Sequence, residues 1–255
     1  MHILAVSGMH VGIIYILLNT ILIFSKNKYG KVIKVIIIVI SLWLYAFITG
    51  LTPSVCRAAL MFSFIAIGSI YSKQNNTYNS IFSSAFILLI INPFNFFSIG
   101  FQLSYVAVLG IVALQPIIYK SIYVKNYILD KTWSLFSVTL AAQIATTPLT
   151  LYYFHNFSTY FWLSNLIIVP MIPIITYLAI LILIVPFLPI IQEYTSKLLI
   201  ICIDIMNFVV AKIEVLPMYL ITNIYINKIH ILLMYSVIVI VFSYITIRKN
   251  KMITV

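Results

Sequence analysis

The sequence carries little charge and almost no acid. Only 7% of its 255 residues are charged, and only four are Asp or Glu. A soluble domain of this length needs a far more polar surface, so the composition excludes one. The two cysteines lack the CxxC or Cys/His spacing of a metal site, and no Walker A motif is present. The sequence therefore predicts neither a metal nor another cofactor.

Apolar residues fill the chain instead, at 64% of the sequence and a mean hydropathy of +1.16. A transmembrane helix needs about 20 such residues. We predict an all-α fold, a polytopic membrane bundle of about eight or nine transmembrane helices, some kinked or re-entrant, in a single domain over residues 1–255. The predicted spans are roughly 7–24, 35–50, 53–71, 80–97, 99–119, 132–153, 160–186, 196–216 and 229–247. The fourth is weak because Asn92-Pro93 interrupts it.

The basic residues orient these spans. With nine spans, twelve basic residues fall on one side, which the positive-inside rule assigns to the cytoplasm. They are Lys26, Lys28, Lys31, Lys34, Lys73, Lys120, Lys125, Lys131, Lys197, Arg248, Lys249 and Lys251. The exceptions are Arg57, Lys212 and Lys228. The N-terminus is predicted outside and the C-terminus inside.

The stretch from Gly50 to Met61 opens the third span, at the outer end. Thr52 is a candidate helix cap, and Pro53 suits the first turn, where no N–H is needed. Ser54 lies beside the first backbone N–H groups, and Arg57 follows about one turn later. A helix N-terminus with an arginine favours an anion. The alternative is an arginine that extends to lipid headgroups.

The first span begins with Ser7-Gly8-Met9-His10-Val11-Gly12. Gly8 and Gly12 have GxxxG spacing, which favours close helix packing. Ser7 and His10 share a helix face. Nucleophilic catalysis by this pair would need a carboxylate to orient the imidazole, and none lies nearby in the sequence. A hydrogen-bonding pair on a polar path is the favoured interpretation, and no enzymatic activity is predicted.

Polar side chains also occur inside the spans, where each needs a partner or water. They are Gln102, Ser104, Gln115, Gln143, Thr146, Thr147 and Asn165. Together with Pro148, Pro170 and Pro173, which break or kink spans six and seven, they favour a channel or transporter. Asp204 is the one acid near the middle of a span and a candidate intramembrane ion site. A small-solute or ion transporter coupled through Asp204 is therefore the alternative function.

Several motifs together resemble the ComEC-type competence proteins, the DNA-uptake channel family. The matching segments are His2–Gly12, Trp43–Tyr45, Gly50–Ala58, Asn92-Pro93, Gly100–Ile111, Ala142–Thr146, Pro148, Asn165-Leu166 and Pro170. They follow one another in the family order and cover nearly the whole chain. The paired SGxH and PSxxRA signals are far more specific than hydropathy.

The resemblance implies a bacterial inner-membrane channel that passes single-stranded DNA into the cytoplasm during natural transformation. The expected DNA path comprises Ser7, His10, Thr52, Ser54, Arg57, Gln102, Gln143 and Asn165. Expected partners are single-stranded DNA, the lipid bilayer, a DNA receptor outside and a helicase-like motor inside, with a homo-oligomer as a further option.

Full-length family members usually carry an earlier N-terminal region with a periplasmic domain, and many carry a C-terminal metallo-β-lactamase-like domain. This chain contains no HxHxDH-type cluster, so no nuclease activity is expected. We expect a fragment or a split form of a longer protein, completed by separately encoded domains, or an inactive remnant.

Overall fold

The computed structural model describes residues 8–22, 28–71 and 77–253, and these ranges are almost entirely helical. Their α-helices are α1 (Gly8–Ile21), α2 (Lys28–Ile48), α3 (Pro53–Gly68), α4 (Thr77–Ile91), α5 (Ile99–Tyr119), α6 (Tyr127–Phe154), α7 (Phe161–Ile184), α8 (Pro189–Glu214) and α9 (Lys228–Ile253). Short 3-10 turns cover Ser69–Tyr71 and Pro93–Phe97, and the two-residue strands are β1 (Phe157–Ser158) and β2 (Leu220–Ile221). The predicted all-α class is confirmed.

Within the described ranges, five helices are long and apolar enough to cross a membrane, namely α2, α5, α6, α7 and α9. The apolar helices α1, α3 and α4 have 14, 16 and 15 residues. At 1.5 Å per residue they reach about 21–24 Å, less than the hydrocarbon thickness of about 30 Å. The predicted eighth span lies within α8, which carries five charged residues and is not among the five. The chain is a multi-pass membrane protein.

Residues 1–105 form one unit, in which α3 packs against α1, α2 and α4. The side of α3 that meets these helices consists mainly of small residues, Ala58, Ala59, Ser63 and Ala66. Small side chains let helix backbones approach closely in a membrane. The core around them includes Val11 from α1 and Ile38 and Leu42 from α2.

Residues 106–255 form the second unit, in which α6 packs against α7 and α9, and α7 against α8. The helices α7 and α8 make a hairpin whose two ends are joined by an antiparallel pairing of β1 with β2. Thr159 reinforces this join, since its N–H donates to the Tyr219 carbonyl at 3.1 Å and its hydroxyl to the Met218 carbonyl at 2.8 Å.

The helices extend beyond several predicted spans. α2 begins at Lys28 rather than at 35, α6 at Tyr127 rather than at 132, and α8 at Pro189 rather than at 196. Hydropathy marks only the part of a helix that suits hydrocarbon, whereas the backbone stays helical into the polar interface. The fourth span, predicted to reach 97, ends at Ile91, and the Asn92 side chain accepts a hydrogen bond from the Phe94 N–H at 3.1 Å.

The prolines inside spans six and seven do not end their helices. α6 continues past Pro148, and α7 continues past Pro170 and Pro173. A proline at 148 removes the N–H that would bond four residues back. Close to this point the Tyr235 hydroxyl of α9 donates to the Ala145 carbonyl at 3.0 Å. This bond links α6 to α9 one residue after Ile144, whose carbonyl lacks its helical partner.

Glycines permit two close helix contacts. A Cβ at Gly8 would lie 3.1 Å from the Ala58 Cβ, and one at Gly12 would lie 3.0 Å from the Phe62 ring, so the GxxxG pair packs α1 on α3. A Cβ at Gly110 would lie 2.2 Å from the Ala145 Cβ and 3.2 Å from the Ala141 carbonyl oxygen. This α5–α6 contact therefore has no room for a side chain.

We expect Gly110→Ala to lower the stability of the purified protein. Alanine favours a helix by about 1 kcal/mol over glycine, but overpacking costs about 1–3 kcal/mol and should dominate here. Thermal unfolding in detergent, followed by tryptophan fluorescence, measures the outcome. Gly12→Ala is the control, because its Cβ would meet the outer end of a Phe62 ring that can move. A Gly110→Ala protein as stable as the parent would contradict the close contact.

Candidate anion-binding site

The helices α3 and α5 begin side by side, next to Gly8 of α1, at one end of the unit formed by residues 1–105. The start of α1 touches the start of α3, since a Cβ at Gly8 would lie 3.6 Å from the Ser54 carbonyl oxygen. The first turn of α5 reaches the same place, because a Cβ at Gly100 would lie 3.7 Å from Nη2 of Arg57 and 3.9 Å from Nη1. Each helix N-terminus carries about half a positive charge. This end of the unit is therefore electropositive.

Arg57 lies among these helix ends and is 7% exposed. Its Nε is buried and has no hydrogen-bond partner within the described residues. Tyr105 of α5 is close enough for an electrostatic interaction with the guanidinium. The Tyr105 hydroxyl is 3.0 Å from the Ser84 hydroxyl of α4, and its ring lies 4.4 Å from that of Phe101. Tyr105 is thus fixed beside Arg57 by two neighbours.

The unit offers no carboxylate to neutralise this cation. The four acids of the chain are Asp130, Glu193, Asp204 and Glu214, and all lie in the second unit. Removing an ion from water without a counterion is costly. The helix ends around Arg57 add positive potential to that cost. An anion from outside the unit would offset both the desolvation of Arg57 and the positive potential of the helix ends. The site therefore suits an oxyanion such as a phosphate.

Thr52 occupies the predicted cap position of α3, but its side chain does not make a capping hydrogen bond. The prediction of side-chain capping is therefore wrong. The Thr52 carbonyl accepts instead from the N–H groups of Val55 and Cys56, both at 3.0 Å, and Pro53 has no N–H to satisfy. The Thr52 hydroxyl is buried in the turn that precedes Arg57 and has no hydrogen-bond partner in the part of the chain that the structure describes.

The other residues of the predicted DNA path are divided between the two units. Ser7 lies outside the described residues, whereas Ser54 and His10 are half-buried near the starts of α3 and α1. The Gln102 amide donates to the Phe96 carbonyl at 3.0 Å and so supports the turn before α5. Gln143, which donates to the Thr147 hydroxyl at 3.4 Å, and half-buried Asn165 both belong to the second unit.

Asp204, the predicted intramembrane ion site, is exposed on α8. On the same helix, Lys197 forms a salt bridge with Glu193. Among the described residues, no group of three or more His, Cys, Asp or Glu side chains is placed to hold a metal ion.

Sequence reasoning missed the contributions of Ser84, Gly100 and Tyr105 to this site. Gly100 and Tyr105 lie in the Gly100–Ile111 segment that carries the family resemblance. Phe101 and Tyr105 are four residues apart and so share a helix face. That spacing could have indicated an aromatic pair at the start of α5. The contact with Arg57 comes from tertiary packing, which spacing along the chain does not encode.

We expect Arg57→Met to unfold at the same temperature as the parent or a higher one. The substitution removes a buried charge that lacks a counterion and keeps most of the side-chain volume. Inorganic phosphate should raise the unfolding temperature of the parent more than chloride at equal ionic strength, and this difference should vanish in the variant. Marked destabilisation by Arg57→Met would instead indicate an arginine needed for folding.

Comparison with known proteins agrees with the motifs. The model of the family described as Competence protein matches residues 1–248. The "ComE operon protein 3" of Bacillus subtilis (strain 168) is 35% identical over 172 residues, which are 66% of this chain and 21% of that protein. The chain thus spans about a fifth of the length of this relative. No solved structure gives a significant match. The chain belongs to the Competence protein family.

Proposed function

We propose that this chain is a channel component that passes single-stranded DNA across the bacterial inner membrane into the cytoplasm during natural transformation. It acts in transport rather than as an enzyme. The observation that carries the proposal is Arg57, a buried cation beside the N-termini of α3 and α5 in a unit without a single carboxylate. Family membership supports the same class of function.

The Arg57 site suits the repeating part of a DNA strand. Phosphates are common to every nucleotide, so one oxyanion site can serve a strand of any sequence. A guanidinium can donate two parallel hydrogen bonds to a phosphate. Conduction also requires that each site release the strand again. A lone arginine, rather than a dense basic cluster, meets that requirement.

The remaining path is proposed from the sequence and the family. Ser7, His10, Thr52, Ser54, Gln102, Gln143 and Asn165 would add exchangeable hydrogen bonds. Aromatic side chains could stack on bases without regard to sequence. A DNA receptor outside, a helicase-like motor inside and separately encoded family domains are the proposed partners. A transporter coupled through Asp204 stays the alternative, and proton-coupled solute uptake lost in Asp204→Asn would support it.

We expect Arg57→Ala to reduce uptake of labelled DNA at least tenfold at an equal membrane level of the protein. The loss of one charge-assisted phosphate contact of about 1.5–3 kcal/mol accounts for such a factor. Arg57→Lys should retain an intermediate level, because lysine keeps the charge but not the paired geometry. The assay is run in a transformable strain that lacks its own channel.

The matched control is Lys31→Gln, which removes one positive charge from the exposed surface of the same unit. It should take up DNA as the parent does. Normal uptake by Arg57→Ala at a normal protein level would disprove the phosphate site. The same strain tests whether the chain acts alone or only with its genomic neighbours. Failure in both settings, with the protein inserted, would favour the transporter or an inactive remnant.

The proposed topology places the N-terminus outside and the C-terminus inside. In a variant without Cys56 and Cys202, a membrane-impermeant thiol reagent should label Thr222→Cys in intact spheroplasts. Ser121→Cys, which is also exposed, should react only after the membrane is opened. The reverse pattern would invert the topology. Labelling of both sites in intact spheroplasts would contradict an odd number of crossings between them.

A further inference from the structure

A long groove follows one side of α9, the last helix. It is shallow and widely open, with a volume of about 730 Å³, and the described residues that line it all belong to α9: Lys228, Ile231, Leu232, Tyr235, Ser236, Val239 and Ile240. The lining is almost wholly apolar. The Tyr235 hydroxyl already donates to the Ala145 carbonyl, and the Ser236 hydroxyl to the Leu232 carbonyl at 2.8 Å. The groove therefore offers hydrocarbon contact along its length rather than polar recognition.

The dimensions of the groove match one leaflet of a bilayer. Lys228 and Ile240 are twelve residues apart on α9, which corresponds to about 18 Å. Half of the hydrocarbon core of a bilayer is about 15 Å. The helix is apolar enough to cross a membrane, and none of its most hydrophobic window is buried by the rest of the protein. An acyl chain that ran along the groove would thus span the depth of its own leaflet.

Lys228 gives the groove a charged end. It is the first residue of α9, its side chain is exposed, and it has no hydrogen bond or ion pair within the described ranges. The ammonium therefore lies at the end of the helix, next to the apolar groove. The partial positive charge of the helix N-terminus has the same sign. Both favour a negative group at this end of the groove.

We propose that the groove is a binding site for an anionic phospholipid, with the headgroup phosphate at Lys228 and one acyl chain along Ile231 to Ile240. The phosphate of the headgroup complements the free ammonium, and the chain covers the exposed side of α9. This site is independent of the proposed DNA path, so it can be tested without an uptake assay.

Native mass spectrometry of the detergent-purified protein, with added phosphatidylglycerol or phosphatidylcholine, tests the headgroup. The parent should retain phosphatidylglycerol in preference to phosphatidylcholine. Lys228→Gln should reduce that preference about fivefold, the factor expected for one lysine near an anionic lipid surface. Lys212→Gln is the matched control, because Lys212 lies in the last turn of α8, outside the groove lining, and should leave the preference unchanged.

A second pair of variants tests the groove itself. Val239→Trp places an indole in the groove and should lower retention of both lipids. Val237→Trp should not, because Val237 lies on the same helix with similar exposure, 58% against 63% for Val239, and does not line the groove. Circular dichroism of all variants verifies that they keep the parent helical content.

Three results would overturn the proposal. The first is equal retention of both lipids by the parent. The second is an equal loss of preference in Lys228→Gln and Lys212→Gln, which would indicate general surface attraction. The third is a lipid-free dimer that Val239→Trp dissociates, which would assign the groove to a second copy of the chain.

Discussion

The burial of one cation, Arg57, without a counterion is the main electrostatic cost in the first unit. Arg57 lies beside the N-termini of α3 and α5, and the first acid of the chain occurs only at position 130. Hydrophobic packing of α3 against its neighbours must outweigh the unfavourable electrostatics of this arrangement. The buried charge thus lowers the stability of the unit and leaves an uncompensated positive potential at one end of the helices. An anion bound at this end would remove that cost.

Much of this architecture could be predicted from the sequence. Hydrophobic runs identified each of the helices in the described ranges, although α4 ends at the Asn92-Pro93 break rather than at 97. The helix boundaries were less predictable, because the polar ends of helices such as α2 and α6 carry no hydropathy signal. The pairing of β1 with β2 was not predicted, since its four residues lie about 60 positions apart and meet only through the α7–α8 hairpin.

The candidate site was predicted in part. Arg57 and the start of α3 followed from local patterns of capping and charge. The failure of the Thr52 side chain to cap that helix depends on a carbonyl that already accepts two amides, a geometry that residue type does not reveal. The approach of Gly100 and Tyr105 to Arg57 depends on how α5 meets α3 within the unit. Such contacts require the fold rather than the sequence alone.

The short pairing between β1 and β2 also constrains how often the chain crosses the membrane. The two strands flank the α7–α8 hairpin and hydrogen-bond to each other, so the hairpin begins and ends at the same level. Any membrane crossings between the strands must therefore be even in number. A crossing by α7, which is long and apolar enough for one, thus requires a return by α8 despite its five charges. Asp204 lies near the middle of this second helix of the hairpin.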